Sequence, residues 1–140
     1  MEMIAIESEA EARSCFPLMQ VLRPNLNEDE FIERFARQKA EGYKLIACLD
    51  DSKNISALAG YRFLVFMAWG KILYLDDLIT DPEKTRSGYG GALLDWLEDQ
   101  AKINGCSGIH LDTGYGRQDA HRLYLKKGME LNSHHLAKEI

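Results

Sequence analysis

LYLDDLITDPEKTRSGYGG, residues 73–91, is the stretch on which the reading of this 140-residue chain turns. An apolar strand runs out at Asp81-Pro82, a short basic, glycine-rich loop follows, and an amphipathic helix starts near Gly90. A loop of this kind brings several backbone N–H groups and the positive end of a helix dipole to one point. That is a seat for phosphate or pyrophosphate. It is not a P-loop, since no Gly-Lys-Ser/Thr follows, and GYGGAL lacks the third glycine of a dinucleotide fingerprint.

Periodicity places other elements around this stretch. Met3–Glu7 reads as a strand. Ser8–Leu22 reads as a helix with a Ser8/Glu11 capping box and Pro17 inside it. Asn27 caps a helix over residues 28–41, with Phe31, Ile32 and Phe35 on one face and Gly42 as its stop. Strands follow at 43–49, 55–67 and 72–80, then a helix at 90–104, a strand at 107–111, a helix at 117–127 and a last strand at 129–136. The expected order is β-α-α-β-β-β-α-β-α-β, a mixed α/β (α+β) single domain over residues 1–140 around a largely antiparallel sheet.

Composition narrows the function classes. A net charge of -5 argues against general nucleic-acid binding, and no apolar run reaches the roughly 20 residues that span a bilayer. The start Met1-Glu2-Met3-Ile4 lacks the basic-then-apolar pattern of a secretory signal. Cys15, Cys48 and Cys106 are scattered and odd in number, which suits reduced thiols in the cytoplasm. None of the four histidines has metal-ligand spacing, so no metal is expected.

Asp76 and Asp77 form an acid pair inside an apolar strand, where an unpaired buried charge is costly. Strict alternation would send them to opposite faces, with Tyr74, Leu78 and Thr80 sharing the face of Asp76.

Leu78-x-Thr80-x-Pro82, followed by Gly88-Tyr89-Gly90-Gly91-Ala92-Leu93-Leu94, resembles the acetyl-CoA motif of the GCN5-related N-acetyltransferase (GNAT) superfamily. Ala120-His121-Arg122-Leu123-Tyr124-Leu125-Lys126-Lys127-Gly128-Met129 is similar to its second signature, and the separation between the two also matches. Three positions depart. Thr85 stands where Gln or Arg is usual, with Arg86 one place later; Arg117 replaces a common Asn; Gly128-Met129 replaces Gly-Phe.

The resemblance implies the GNAT fold and an acetyltransferase moving an acetyl group from acetyl-CoA to a primary amine of a small molecule by direct attack in a ternary complex. In that frame Thr85, Arg86, Ser87, Gly88, Tyr89, Gly90 and Gly91 take the pyrophosphate. The backbone of Leu78, Ile79 and Thr80 pairs with the pantetheine arm, and Arg117 and Lys127 flank the cofactor. Asp76 is the base or amine anchor with Asp77 in reserve, Tyr124 is the acid that protonates the departing thiolate, and Phe31, Tyr74 and Asp77 meet the acceptor. Tyr74-Leu75-Asp76-Asp77 is similar to the Tyr-Leu-Glu-Asp of polyamine acetyltransferases, which leans the acceptor toward a cationic amine. Family precedent also allows a homodimer. The rival reading is an acyl-CoA-binding sensor or partner module without turnover.

Overall fold

The computed structural model describes residues 1–140. In chain order they form β1 (Glu2–Ile6), α1 (Glu9–Leu22), α2 (Glu28–Ala40), β2 (Lys44–Leu49), β3 (Ile55–Phe66), β4 (Gly70–Thr80), α3 (Tyr89–Ile103), β5 (Ile109–Leu111) and α4 (Gln118–Lys126). A single 3-10 turn, Pro82–Lys84, precedes α3. The strands lie in the order β1-β2-β3-β4-β5, antiparallel throughout except for the parallel β4–β5 pair.

Local chemistry accounts for the helix boundaries. The α1 capping box is complete: Ser8 Oγ accepts from the Glu11 N–H, and the Glu11 carboxylate accepts from the Ser8 N–H. Pro17 does not split α1, which continues to Leu22. Asn27 Oδ1 accepts from the Glu30 N–H and starts α2. Gly105 and Gly128, at φ 72° and 87°, end α3 and α4 in the left-handed region that a side chain disfavours.

The sheet separates two apolar layers. On one face Ala12, Cys15, Met19, Phe31, Ile32 and Phe35 of α1 and α2 pack on Leu45, Ala47 and Leu58. On the other, Leu93, Leu94, Leu97 and Tyr124 of α3 and α4 pack on Ala57, Ala59, Leu73, Leu75 and Leu78.

The mixed α/β class and the first nine elements of the expected order hold, but the last expected strand does not form. Residues 129–140 make neither strand nor helix, and Leu131 and Leu136 are exposed. The segment MELNSHHL has no β-branched residue and is broken by Asn132-Ser133, so little favours a pleated, half-buried surface.

β4 carries the irregularity that matters for function. Gly60 pairs with Asp77 and Tyr61 with Leu75, so Asp76 is an extra, unpaired residue: a β-bulge. The inserted residue shifts the alternation by one position. Before the bulge Leu73 and Leu75 face α3; after it Leu78 does, while Ile79 packs on the α1/α2 side.

Candidate active site

The bulge corrects the expected face assignment. Asp76 does not share a face with Leu78 and Thr80, and Asp76 and Asp77 do not point to opposite sides. Both line one cavity of about 410 Å³ on the α1/α2 side. Its walls come from Met19 and Arg23 of α1, Phe31, Arg34, Phe35, Arg37 and Gln38 of α2, and Tyr43 at the start of β2. Phe31, expected at the acceptor, is in this wall. Tyr74 is not: its hydroxyl donates to Asp112 beyond β5.

Each carboxylate is held by a guanidinium. Arg62 of β3 donates to both oxygens of Asp76, Nε at 2.9 Å and Nη2 at 2.7 Å. Its own guanidinium lies 5.6 Å from the centre of the Tyr74 ring, which fixes its plane. Arg23, the C-terminal cap of α1, donates to Asp77 Oδ1 through Nε (3.1 Å) and Nη2 (2.8 Å). The same Nη2 reaches the Asp76 carbonyl at 3.1 Å, satisfying a backbone acceptor that the bulge takes out of the ladder. The phenol of Tyr43 donates to the second Asp77 oxygen at 2.8 Å.

Burial sets the proton affinities. The Asp76 carboxyl is raised above its ordinary 3.8, by desolvation first, with the Arg62 hydrogen bonds opposing. Tyr43 is held well above the usual phenol range by burial and then by the Asp77 charge, so it stays a donor. Tyr124 is buried in the α3/α4 layer and also raised, by desolvation, against a lowering influence of Arg117. It therefore carries its proton at neutral pH. Tyr124 and the two aspartates stand on opposite faces of β4, not in one cavity.

Between those faces runs the open edge of β4. Pairing with β5 stops at Leu75–Leu111, so the backbone from Asp76 to Thr80 has no strand on that side. Arg117, capping α4, reaches this edge and donates to the Leu78 carbonyl at 3.2 Å. At its far end lies the 85–91 loop. Of its backbone N–H groups, only that of Ser87 donates to a backbone carbonyl, leaving the rest as free donors at the positive end of α3. Arg86 and Gly88, at φ 65° and 85°, place two left-handed residues in this loop. Gly90 lets α3 press against β4, since a Cβ there would sit 3.1 Å from Thr80 Oγ1.

Two basic side chains of the region are engaged with protein partners. Lys84 donates to Asp50 (2.7 Å) and Ser56 (2.9 Å), tethering the loop to the β2–β3 turn rather than adding charge to the seat. Lys127 pairs with Asp95 of α3 at 2.7 Å, beside Gly91. Arg23, Arg62 and Tyr43 escape sequence reading, because each acts across the fold; a glycine at position 60 of a buried strand is the one local hint.

A cavity lined by Asp76 and Asp77 thus opens on a bulged strand, next to an unpaired strand edge and a loop of free N–H donors. The acetyltransferase (GNAT) family profile matches residues 7–129, and the chain belongs to that family. It is an acetyl-CoA-dependent N-acetyltransferase.

The uncharacterized N-acetyltransferase YhdJ of Bacillus subtilis (strain 168) is 33% identical over 137 residues, covering 96% of each chain. The aminoalkylphosphonate N-acetyltransferase of Salmonella typhimurium (strain LT2) is 30% identical over 66 residues, covering 47% of this chain and 43% of that one. The ribosomal-protein-alanine N-acetyltransferase structure from Brucella melitensis biovar Abortus 2308 superposes with a TM-score of 0.84 over 100% of both chains at 16% identity, a likeness of fold alone. No helix is long and apolar enough to cross a membrane.

Proposed function

We propose that the protein acetylates the primary amine of a small molecule by direct attack, with acetyl-CoA and acceptor bound together. The observation that carries this is the Asp76 bulge, which ends the acceptor cavity at the point where the β4 edge opens. The aminoalkylphosphonate relative, whose name specifies a small amine, supports a small acceptor.

The residues present fit acetyl-CoA. Free N–H groups of residues 85–91, excepting Ser87, suit a pyrophosphate, and the unpaired backbone of Leu78–Thr80 suits the two amides of the pantetheine arm. Arg117 would meet the arm where it passes Leu78, and Lys127 borders the first turn of α3. When bound, acetyl-CoA supplies an electrophilic thioester carbonyl.

The chain's residues manage the protons. An alkylammonium has no lone pair, so Asp76, held ionised by Arg62 yet raised by burial, accepts a proton from it directly or through water. The amine nitrogen would then displace the thiolate at the thioester carbonyl; Tyr124 would give its hydroxyl proton to the departing sulfur, and the second proton shed by the nitrogen would return to the Tyr124 oxygen through water. Asp77, fixed by Arg23 and Tyr43, orients the amine.

Initial-rate kinetics of thiol release, with acetyl-CoA and a panel of amines varied together, test the reading. Intersecting lines and a mass increase of one acetyl on the amine are expected. Parallel lines with an acetylated protein would replace direct attack by a covalent carrier. Binding of acetyl-CoA with no thiol release from any amine would leave an acyl-CoA sensor instead.

A further inference from the structure

The charges around the acceptor cavity are unevenly spent. On its floor both carboxylates are neutralised at hydrogen-bond distance, Asp76 by Arg62 and Asp77 by Arg23. On its rim Arg34 and Arg37 sit one turn apart on α2, and both line the cavity. Arg34 pairs with Glu30 and Arg37 with Glu33 on the same helix, each at 3.9 Å, longer than a hydrogen bond. Glu41 is the one lining carboxylate outside any ion pair. Neither guanidinium is hydrogen-bonded to its partner, so the rim offers two guanidiniums with free N–H donors beside the single carboxylate of Glu41. A polyamine would bring further positive charge to that rim and meet repulsion there. A guanidinium pair at this spacing instead offers parallel N–H donors to the oxygens of a carboxylate, phosphonate or phosphate.

We infer that the acceptor is a primary amine that also carries an anionic group, its amine directed to Asp76 and Asp77 on the floor of the cavity and its anion held by Arg34 and Arg37 at the rim. The inference rests on the acceptor-site assignment of the proposed function and gives that site its substrate class. The strand-borne acids, which alone suggest a cationic acceptor, orient the amine end only. The helix-borne arginines select the molecule by its other end.

The test uses the full chain with acetyl-CoA and three amines of matched length: an aminoalkylphosphonate, an amino alcohol and a diamine, each read by thiol release. The phosphonate is expected to have a kcat/KM at least tenfold above that of the diamine, since one charge-assisted contact supports a factor of about ten. In Arg34→Gln/Arg37→Gln the phosphonate-to-diamine ratio of kcat/KM falls about tenfold, mainly through KM for the phosphonate. In Arg34→Glu/Arg37→Glu the preference inverts. Both sites are on the exposed side of α2, and an unchanged melting temperature verifies that the variants fold. A wild-type preference for the diamine, or a ratio unmoved by both double variants, overturns the inference while leaving N-acetylation intact. Turnover of no amine of any charge defeats the proposed function and this inference together.

Discussion

Tyr43 reaches Asp77 across a gap that only a glycine leaves. The phenol oxygen lies 2.8 Å from Asp77 Oδ2, and a Cβ built on Gly60, the strand partner of Asp77, would fall 1.8 Å from that same oxygen. No small adjustment relieves such an overlap, because the β3 backbone is paired on both sides. In Gly60→Ala the ring must leave its place, and Asp77 loses a donor.

The expected cost of Gly60→Ala is about 1–3 kcal/mol, the usual range for overpacking a core. Tyr43→Phe, which keeps the ring and removes the hydroxyl, costs less, about 1–2 kcal/mol. Urea unfolding of the three proteins checks this; an unchanged midpoint for Gly60→Ala would refute the close approach.

Arg62 holds down the pH at which the buried Asp76 ionises. Burial raises the Asp76 carboxyl above 3.8 and the guanidinium opposes that rise. Activity requiring ionised Asp76 rises with pH through this raised value. Arg62→Met removes the larger opposing influence and leaves only that of Arg23, so the acid limb of kcat moves to higher pH. Asp76→Asn lowers kcat by a factor of about a hundred or more and abolishes the limb's response to position 62. A limb that stays put in Arg62→Met would assign it to another group.

Lys84 holds Asp50 at about 2, by its hydrogen bond first, against an ordinary 3.8. A carboxylate whose pKa is depressed in the fold stabilises it fully above the unfolded value. That contribution fades as the pH falls from 3.8 toward about 2. Lys84→Met therefore unfolds at a higher pH on acid titration, followed by circular dichroism. Because the same lysine tethers the 85–91 loop, its loss also weakens acetyl-CoA binding several-fold by calorimetry, with kcat at saturation little changed.

Tyr124→Phe keeps the buried ring in the α3/α4 layer and removes only the hydroxyl proposed to protonate the thiolate. A fall in kcat of about a hundredfold is expected, with the KM for acetyl-CoA within twofold of the native value. Equal losses in kcat and in acetyl-CoA binding would mean that the hydroxyl serves structure instead.

What the sequence made legible was local. The Ser8/Glu11 box, the Asn27 cap, the apolar run of β4 and the GYGG start of α3 each rest on neighbours a few residues apart, and each forms where expected. The site was half legible. The chemistry-bearing residues of β4 stood out, but the bulge did not, because β4 has no glycine at Asp76 and the irregularity exists only against β3. The guanidinium on Asp77 comes from 54 residues away and that on Asp76 from 14 residues away, separations at which no periodicity speaks. The missing strand at 129–136 failed for a different reason: a few apolar residues after Gly128 were given more weight than the absence of a β-branched residue.

The single residue inserted at Asp76 works as a change of phase in a periodic object. Upstream and downstream of it, β4 repeats with the same wavelength but half a period apart. The two ends of the strand thereby carry separate face assignments: Asp76 and Asp77 go to the cavity, Leu78 to the α3 layer. An insertion or deletion between Leu75 and Asp77 would reset that phase and exchange the faces of Asp77 and Leu78.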